Sequence, residues 1–227
     1  MSDACWVVDL GRKGFQETWQ LQRELVEERK RRIVPDVLLF VEHPPTYTLG
    51  RSGRREHLLV SEEALSRSGA SFVLTDRGGD ITFHGPGQLV GYPIFDLAEW
   101  RKDVGAYLRA LEEVIILALE RLGIDSGRET GLTGVWHERG KLAAIGVRVS
   151  RWVASHGFAL NVTTDLRYFK QIVPCGIVGR GVSSIADVLP EAPAVESVRE
   201  EIAHSFGLVF SRRLLPLVEA DLPGRRN

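Results

Sequence analysis

The sequence contains no apolar run near the ~20 residues that a bilayer-crossing helix requires. Its first residues, Met1-Ser2-Asp3-Ala4-Cys5-Trp6, are neither basic nor followed by a signal-type apolar block, so a cytoplasmic protein is expected. An excess of charge is lacking too. The 29 basic residues stand against 30 acidic ones, so net charge draws the chain to neither nucleic acid nor membrane. Cysteine is scarce: Cys5 and Cys175 are the whole supply, and both are expected as unpaired thiols in a reducing compartment. No Cys/His spacing suggests a zinc site, and no metal is expected. Repeats, low-complexity blocks and a clear linker are also missing. Residues 1–227 are therefore expected to form one domain, with 210–227 as a loosely packed tail. The 44% hydrophobic content is enough for a real core.

Apolar periodicity divides the chain into helices and strands in irregular order. A short β-type run at 5–10 is followed by Gly14 and then a helix expected to run to about Ile33, with a basic exit that suits a helix C-terminus. Residues 37–41 are continuously apolar, as in a central strand covered on both faces. A strand at 47–49 ends at Gly50, and Arg51-Ser52-Gly53-Arg54-Arg55 follows as a basic, flexible loop. A short helix is expected over 61–68, then strands near 72–75, 80–83 and 89–95. Residues 104–122 give the clearest helix, with Asp103 as its cap, Gly123 as its stop, and Val104, Leu108, Leu111, Ile115 and Leu122 on one face. Strands at 134–138 and 141–149 read as a hairpin, 154–162 adds a third, and a helix over 196–206 stops at Gly207 before a closing strand at 208–210. This order is not a regular βα repeat. It predicts an α+β fold with a mixed sheet and flanking helices.

The chemistry concentrates in glycine-rich interruptions of strands. In Arg77-Gly78-Gly79-Asp80-Ile81-Thr82-Phe83-His84-Gly85-Pro86-Gly87-Gln88, glycines stand where each costs ~0.5–1 kcal/mol in a regular element. Such glycines let backbone come close to a ligand or to another segment. Cys175 lies between Pro174 and Gly176 in a segment whose glycines rule out a regular helix. Locally, an activated nucleophile and a buried, inert thiol are both open readings. Lys141 opens an otherwise apolar strand, either snorkelling at its end or projecting into a pocket beside Ala143, Ala144 and Gly146. His156 is expected to fill a core hydrogen bond.

These segments together resemble the octanoyltransferase (lipoyl(octanoyl) transferase) family. The resemblance is carried by His43-Pro44-Pro45-Thr46-Tyr47-Thr48-Leu49-Gly50-Arg51, the Arg77–Gln88 stretch, Gly134-Val135-Trp136 with Lys141, Ala144-Ile145-Gly146, His156-Gly157-x-Ala159-Leu160-Asn161 and Pro174-Cys175-Gly176-Ile177. It reaches from about His43 to Ser184, with Ser183 where the family more often has threonine. The resemblance implies the mixed-sheet α+β fold of the lipoate- and biotin-protein ligase catalytic domains. It implies transfer of an octanoyl group from acyl carrier protein to a lysine ε-amine on lipoyl domains, those of 2-oxoacid dehydrogenase complexes and the glycine cleavage H protein. No cofactor and no ATP are implied. The nucleophile would fall on Cys175 and the group that lowers its pKa on Lys141. Acyl binding would fall on Arg77, Gly78, Gly79, Asp80, Ile81, Thr82, Phe83 and His84, on Ala144, Ile145 and Gly146, and on Gly157, Phe158 and Ala159. His84 and backbone amides, including that of Gly176, are candidates for holding the thioester oxygen. Arg51, Arg54 and Arg55, extended by Arg148 and Arg151, would steer acidic partners.

Three other readings share parts of this pattern. An ATP-dependent lipoate or biotin ligase would use Gly50–Arg55 as an adenylate loop, a cysteine hydrolase would pair Cys175 with His84 or His156, and a non-catalytic acyl-binding module would leave Cys175 inert.

Overall fold

The computed structural model describes residues 3–173 and 181–223. Seven strands form one mixed sheet in the order β10-β1-β2-β6-β9-β8-β7. These are β1 (Ala4–Arg12), β2 (Asp36–Glu42), β6 (Gln88–Asp96), β7 (Val135–His137), β8 (Gly140–Ser150), β9 (Val153–Asn161) and β10 (Arg213–Pro216). β1 runs parallel to both β2 and β10, and the remaining pairs are antiparallel. A second sheet of three short strands has the order β4-β3-β5, from β3 (Thr46–Leu49), β4 (Ser71–Leu74) and β5 (Ile81–His84). The α+β expectation holds.

Both faces of the large sheet are covered. On one lies α1 (Phe15–Lys30), which buries Leu21, Leu25 and Val26 with Val37, Leu39 and Val90. On the other, α3 (Val104–Arg121) and α5 (Val195–Phe210) pack against each other over Leu38, Phe95 and Phe158. This explains why β2 reads as an unbroken apolar run: it has no solvent face. Asp103 caps α3 by accepting the Ala106 N–H at 2.9 Å, and Gly123 follows the helix at φ +76°. The short helix α2 (Glu62–Arg67) contributes Leu65 to a separate apolar cluster with Tyr47, Ile81 and Phe83 in the small sheet. A one-turn helix, α4 (Ile185–Val188), carries a capping box from Ser184 and Asp187.

The C-terminal expectations need correction. Gly207 does not end its helix, and 208–210 is not a strand. α5 continues to Phe210, whose ring joins Phe95, Tyr107 and Phe206. One internal glycine costs ~1 kcal/mol, whereas burying a phenylalanine contributes ~1.5–3 kcal/mol, so packing wins. The closing strand is β10, and beyond it Leu222 is fully buried. Among the described residues, no helix is long and apolar enough to cross a membrane.

Candidate active site

Between the small sheet and the β8–β9 pair lies a cavity of about 440 Å³, within the range of small-ligand sites. The expected segments meet there. Arg77, Gly78, Gly79, Asp80, Ile81, Thr82 and His84 all contribute to the wall. So do Lys141, Ala144, Ile145 and Gly146 of β8, and Gly157, Phe158 and Ala159 of β9. Phe83 does not. Its ring is buried in the small sheet's own core, stacked on Tyr168 at 4.4 Å and 5°.

Close backbone approach accounts for the glycines facing this wall. The Gly78 N–H donates to Val147 O at 2.9 Å, hooking the Arg77-Gly78 corner onto β8. A Cβ on Gly146 would stand 2.9 Å from Gly78 O, and one on Gly157 only 2.2 Å from Gly91 O. The same corner holds the basic loop expected to be flexible. Arg51 N–H donates to Arg77 O at 3.0 Å and Ser52 Oγ–H donates to Gly79 O at 3.0 Å, while Arg51, Ser52, Arg54 and Arg55 remain exposed. Of the arginines expected to extend the basic rim, Arg148 pairs with Asp76 and Arg151 with Glu27.

A continuous buried chain of hydrogen bonds runs behind the wall, and its ends fix its direction. Arg77, which can only donate, gives to Thr48 Oγ1 at 3.0 Å and to the carbonyls of Thr48 and Asp80 at 2.7 Å. The Thr48 hydroxyl proton is thereby directed to His84 Nε2, 3.3 Å away. His84 Nδ1–H donates to Gln88 Oε1 at 2.9 Å. Gln88 Nε2 donates to Phe83 O at 3.0 Å and to Asn161 Oδ1 at 2.9 Å, and Asn161 Nδ2 donates to Ser183 O at 3.0 Å. Burial, helped by the nearby charges of His43 and Arg77, pushes the His84 pKa well below its ordinary value and keeps the ring neutral. With its one N–H given to Gln88, His84 has no donor left for a developing oxyanion. That expectation is withdrawn, and the oxyanion donors are to be sought among backbone amides.

A second polar group at the wall is His156, which fills a buried hydrogen bond as expected. Its Nε2–H donates to Asp76 Oδ1 at 2.7 Å, and Arg148 holds the other Asp76 oxygen at 2.5 Å. Burial lowers the His156 pKa, and the Asp76 hydrogen bond opposes that shift. The same bond, from the other side, leads the causes that lower the Asp76 pKa. His156 has φ +54°, costly for a non-glycine residue, and its backbone N–H leaves the β6–β9 ladder to donate to Gln22 Oε1 of α1 at 2.8 Å.

Lys141 sits at the start of β8, and both of its backbone groups are held by the segment at 181–183. Its backbone N–H donates to Gly181 O and its carbonyl accepts from Ser183 N–H, both at 3.0 Å. Its ammonium lies 5.1 Å from the centroid of the Trp136 ring. The segment bonded to it resumes the chain six residues after Cys175, and Cys175 itself lies outside the described residues. The other cysteine, Cys5, is free and fully buried. Burial pushes its thiol pKa far up, so it is a packing residue. Among the described residues, no group of three or more His, Cys, Asp or Glu could hold a metal ion.

Several wall residues were not legible as such. Phe15 comes from the first turn of α1, Tyr92 from β6, and Leu132 and Thr133 from the loop before β7. Val104 and Leu108, read from periodicity as core, line the cavity from the first turns of α3; its buried stripe is Tyr107, Leu111, Val114, Ile115, Ala118 and Leu119.

Comparison with known proteins agrees with this architecture. Residues 15–207 match the family model of the lipoyl protein ligase A/B catalytic domain. The octanoyltransferase of Solibacter usitatus is 50% identical over 212 residues, covering 93% of this chain and 96% of the relative. That of Chloroflexus aurantiacus is 48% identical over 214 residues, covering 93% and 95%. The chain belongs to the octanoyltransferase family. Octanoyltransferases are acyltransferases, and their fold extends to distant structures. A bi-partite lipoate protein ligase of Thermoplasma acidophilum superposes with a TM-score of 0.74 at 16% identity, covering 96% of this chain and 88% of that one. The biotin protein ligase of Aquifex aeolicus gives a TM-score of 0.52 at 12% identity, covering 93% and 70%. At such identities these two bear on the fold alone.

Proposed function

We propose that this octanoyltransferase moves an octanoyl group from acyl carrier protein to the ε-amine of a lysine on lipoyl domains, through a thioester on Cys175. The observation that carries the proposal is the single cavity walled by three of the family's motif segments, with Lys141 on its wall. Residues 1–227 act as one catalytic unit in this reading, in the cytoplasm, with no cofactor.

A cysteine thiol near pKa 8.5 is only a few per cent thiolate at neutral pH. Lowering that pKa by about 2.5 requires roughly 3.4 kcal/mol in favour of the thiolate. One ammonium at ~4 Å, in an effective dielectric near 20, supplies about 4 kcal/mol. A single lysine at that distance is therefore enough, provided desolvation does not consume the gain. The Cys175 thiolate attacks the carrier thioester, and the tetrahedral intermediate collapses with expulsion of the carrier thiolate. That leaving group takes a proton from Lys141, which becomes a neutral amine. The acceptor lysine amine then attacks the acyl-cysteine and passes a proton to Lys141, and Cys175 leaves as the thiolate. The resting ion pair is restored. Thioester exchange is close to isoenergetic and amide formation runs downhill, so no nucleotide is needed. Acidic carriers would be guided by Arg51, Arg54 and Arg55, which are exposed beside the Arg77–Asp80 wall.

Intact mass of the protein after incubation with octanoyl-acyl carrier protein, without nucleotide, tests the reading. An octanoyl adduct is expected on the unsubstituted chain and not on Cys175→Ala. Normal turnover by Cys175→Ala would rule the mechanism out, and dependence on ATP would return the chain to the ligase reading.

A further inference from the structure

We propose that Trp136 and Gly134 form a cradle that positions Lys141 and favours its ammonium form, with Glu112 fixing the cradle in place. This rests on the role given to Lys141 above. β7 and β8 set Trp136 opposite Lys141, with the ammonium 5.1 Å from the indole ring centroid. Trp136 is only 4% exposed, and a nearly dry tryptophan face is where attraction for a cation is strongest. The ring is kept at a cost. Its indole N–H is buried and has no hydrogen-bond partner among the described residues. Phenylalanine or leucine would avoid that orphaned donor. The contact that offsets it is the ammonium over the ring, which those residues would make less well or not at all.

Gly134 forms the other wall. At φ +130°, a Cβ there would come within 2.5 Å of Lys141 Cε and 2.6 Å of Ala143 O, so a side chain would drive the lysine off the ring. Gly134 is in turn anchored to α3. Its N–H donates to Glu112 Oε1 at 3.0 Å, in a fully buried carboxylate whose other oxygen takes Arg109 at 2.6 Å and Arg128 at 3.0 Å. Trp136, Gly134 and Glu112 are positioning residues that act through Lys141.

The cradle predicts a signature that lost packing alone does not give. Without the ring, the ammonium gives up its proton at lower pH and is held less firmly beside the thiolate. The acidic limb of the kcat/KM profile then moves up in pH, and the basic limb moves down. The experiment records that profile, and the pH dependence of Cys175 alkylation by iodoacetamide, for the unsubstituted enzyme, Trp136→Phe, Trp136→Leu and Lys141→Ala. In Trp136→Leu each limb is expected to move by roughly half to one pH unit. Trp136→Phe, which keeps a weaker ring face, should show a smaller shift in the same directions and serves if the leucine variant does not fold. A lower profile with unmoved limbs in the tryptophan variants overturns the cradle, provided Lys141→Ala still raises the alkylation midpoint. Should Lys141→Ala also leave that midpoint unmoved, the pairing of Lys141 with Cys175 fails first and takes the cradle with it.

Discussion

Replacing Gln88 by leucine should do more damage than its modest change in shape suggests, because Gln88 is the middle link of the buried polar chain. The substitution strands His84 Nδ1–H and Asn161 Oδ1, and it removes a donor from Phe83 O. Gln88 and Asn161 are 1% and 3% exposed, so water has little access to the stranded groups. A buried donor or acceptor left without a partner costs ~1–3 kcal/mol, which puts two of them at about 2 kcal/mol or more. A domain of this size loses roughly 2–4 °C of Tm per kcal/mol, so a fall of at least about 4 °C is expected. Asn161→Leu should also destabilise, by freeing Ser183 O and one Gln88 N–H. The double variant should cost less than the two singles added, by ~0.5–3 kcal/mol, since the two ends of one bond then disappear together. Urea melts of the three variants measure all of this. A Gln88→Leu protein within ~0.5 kcal/mol of the unsubstituted one, or an additive cycle, would refute the directed chain.

Two further outcomes follow from the cavity surroundings. Gly157→Ala should destabilise by ~1–3 kcal/mol or more, because its Cβ would lie 2.2 Å from backbone Gly91 O and 2.6 Å from Pro93 Cδ, where no rotamer can relieve the clash; a melt matching the unsubstituted protein would contradict the close approach of β6 to β9. His43 is fully buried between Lys13 O and the Tyr92 hydroxyl, and burial lowers its pKa to about 4. The unfolded chain therefore takes up the proton first, so stability is full above pH 6.5 and falls by about 3 kcal/mol as pH drops to 4. His43→Gln should flatten that fall in urea midpoints across the range, and an equal fall in both proteins would refute it.

Short-range chemistry is what made most of the site legible. The wall segments are runs of consecutive residues, Arg77–His84, Ala144–Gly146 and Gly157–Ala159, so one strand or corner delivers several of them at once. Phe83 is the exception: the same run presents its ring to a second core, and nothing in the linear sequence announces that a three-stranded sheet will build one. Phe15, Val104 and Leu108 were illegible for a different reason. Each stands in the first turn or two of a helix, where helical periodicity marks a residue as apolar but not which void it will face. The partnership of Asp76 with His156 joins positions 80 residues apart through the crossing of the Arg77-Gly78 corner over β8, a tertiary event without local signal. The continuation of α5 past Gly207 belongs to the same class, decided by where the Phe210 ring goes.

Under the proposed reaction the wall of the cavity poses an apparent contradiction, since Arg77, His84, Gln88 and Asn161 line the space that the acyl chain would enter. The hydrogen-bond accounting resolves it. Arg77 gives its N–H groups to Thr48, Gly78 and Asp80, and His84, Gln88 and Asn161 bond to one another and to backbone carbonyls. These four side chains are buried and their polar atoms are engaged, so an entering hydrocarbon strips little water from unsatisfied polar atoms. The polar groups are satisfied when the chain folds, before any acyl group arrives, and they brace the two sheets against each other at a fixed spacing. Between those sheets, Lys141 is the wall residue whose charge the proposed reaction uses, and a cradle of ring and glycine keeps it apart from that sealed network. A surface that is apolar to its ligand and rigid to its neighbours is what a thioester needs for alignment at one sulfur. On this argument, opening the network at Gln88 should loosen acyl alignment as well as stability, so turnover should fall at temperatures where Gln88→Leu is still folded.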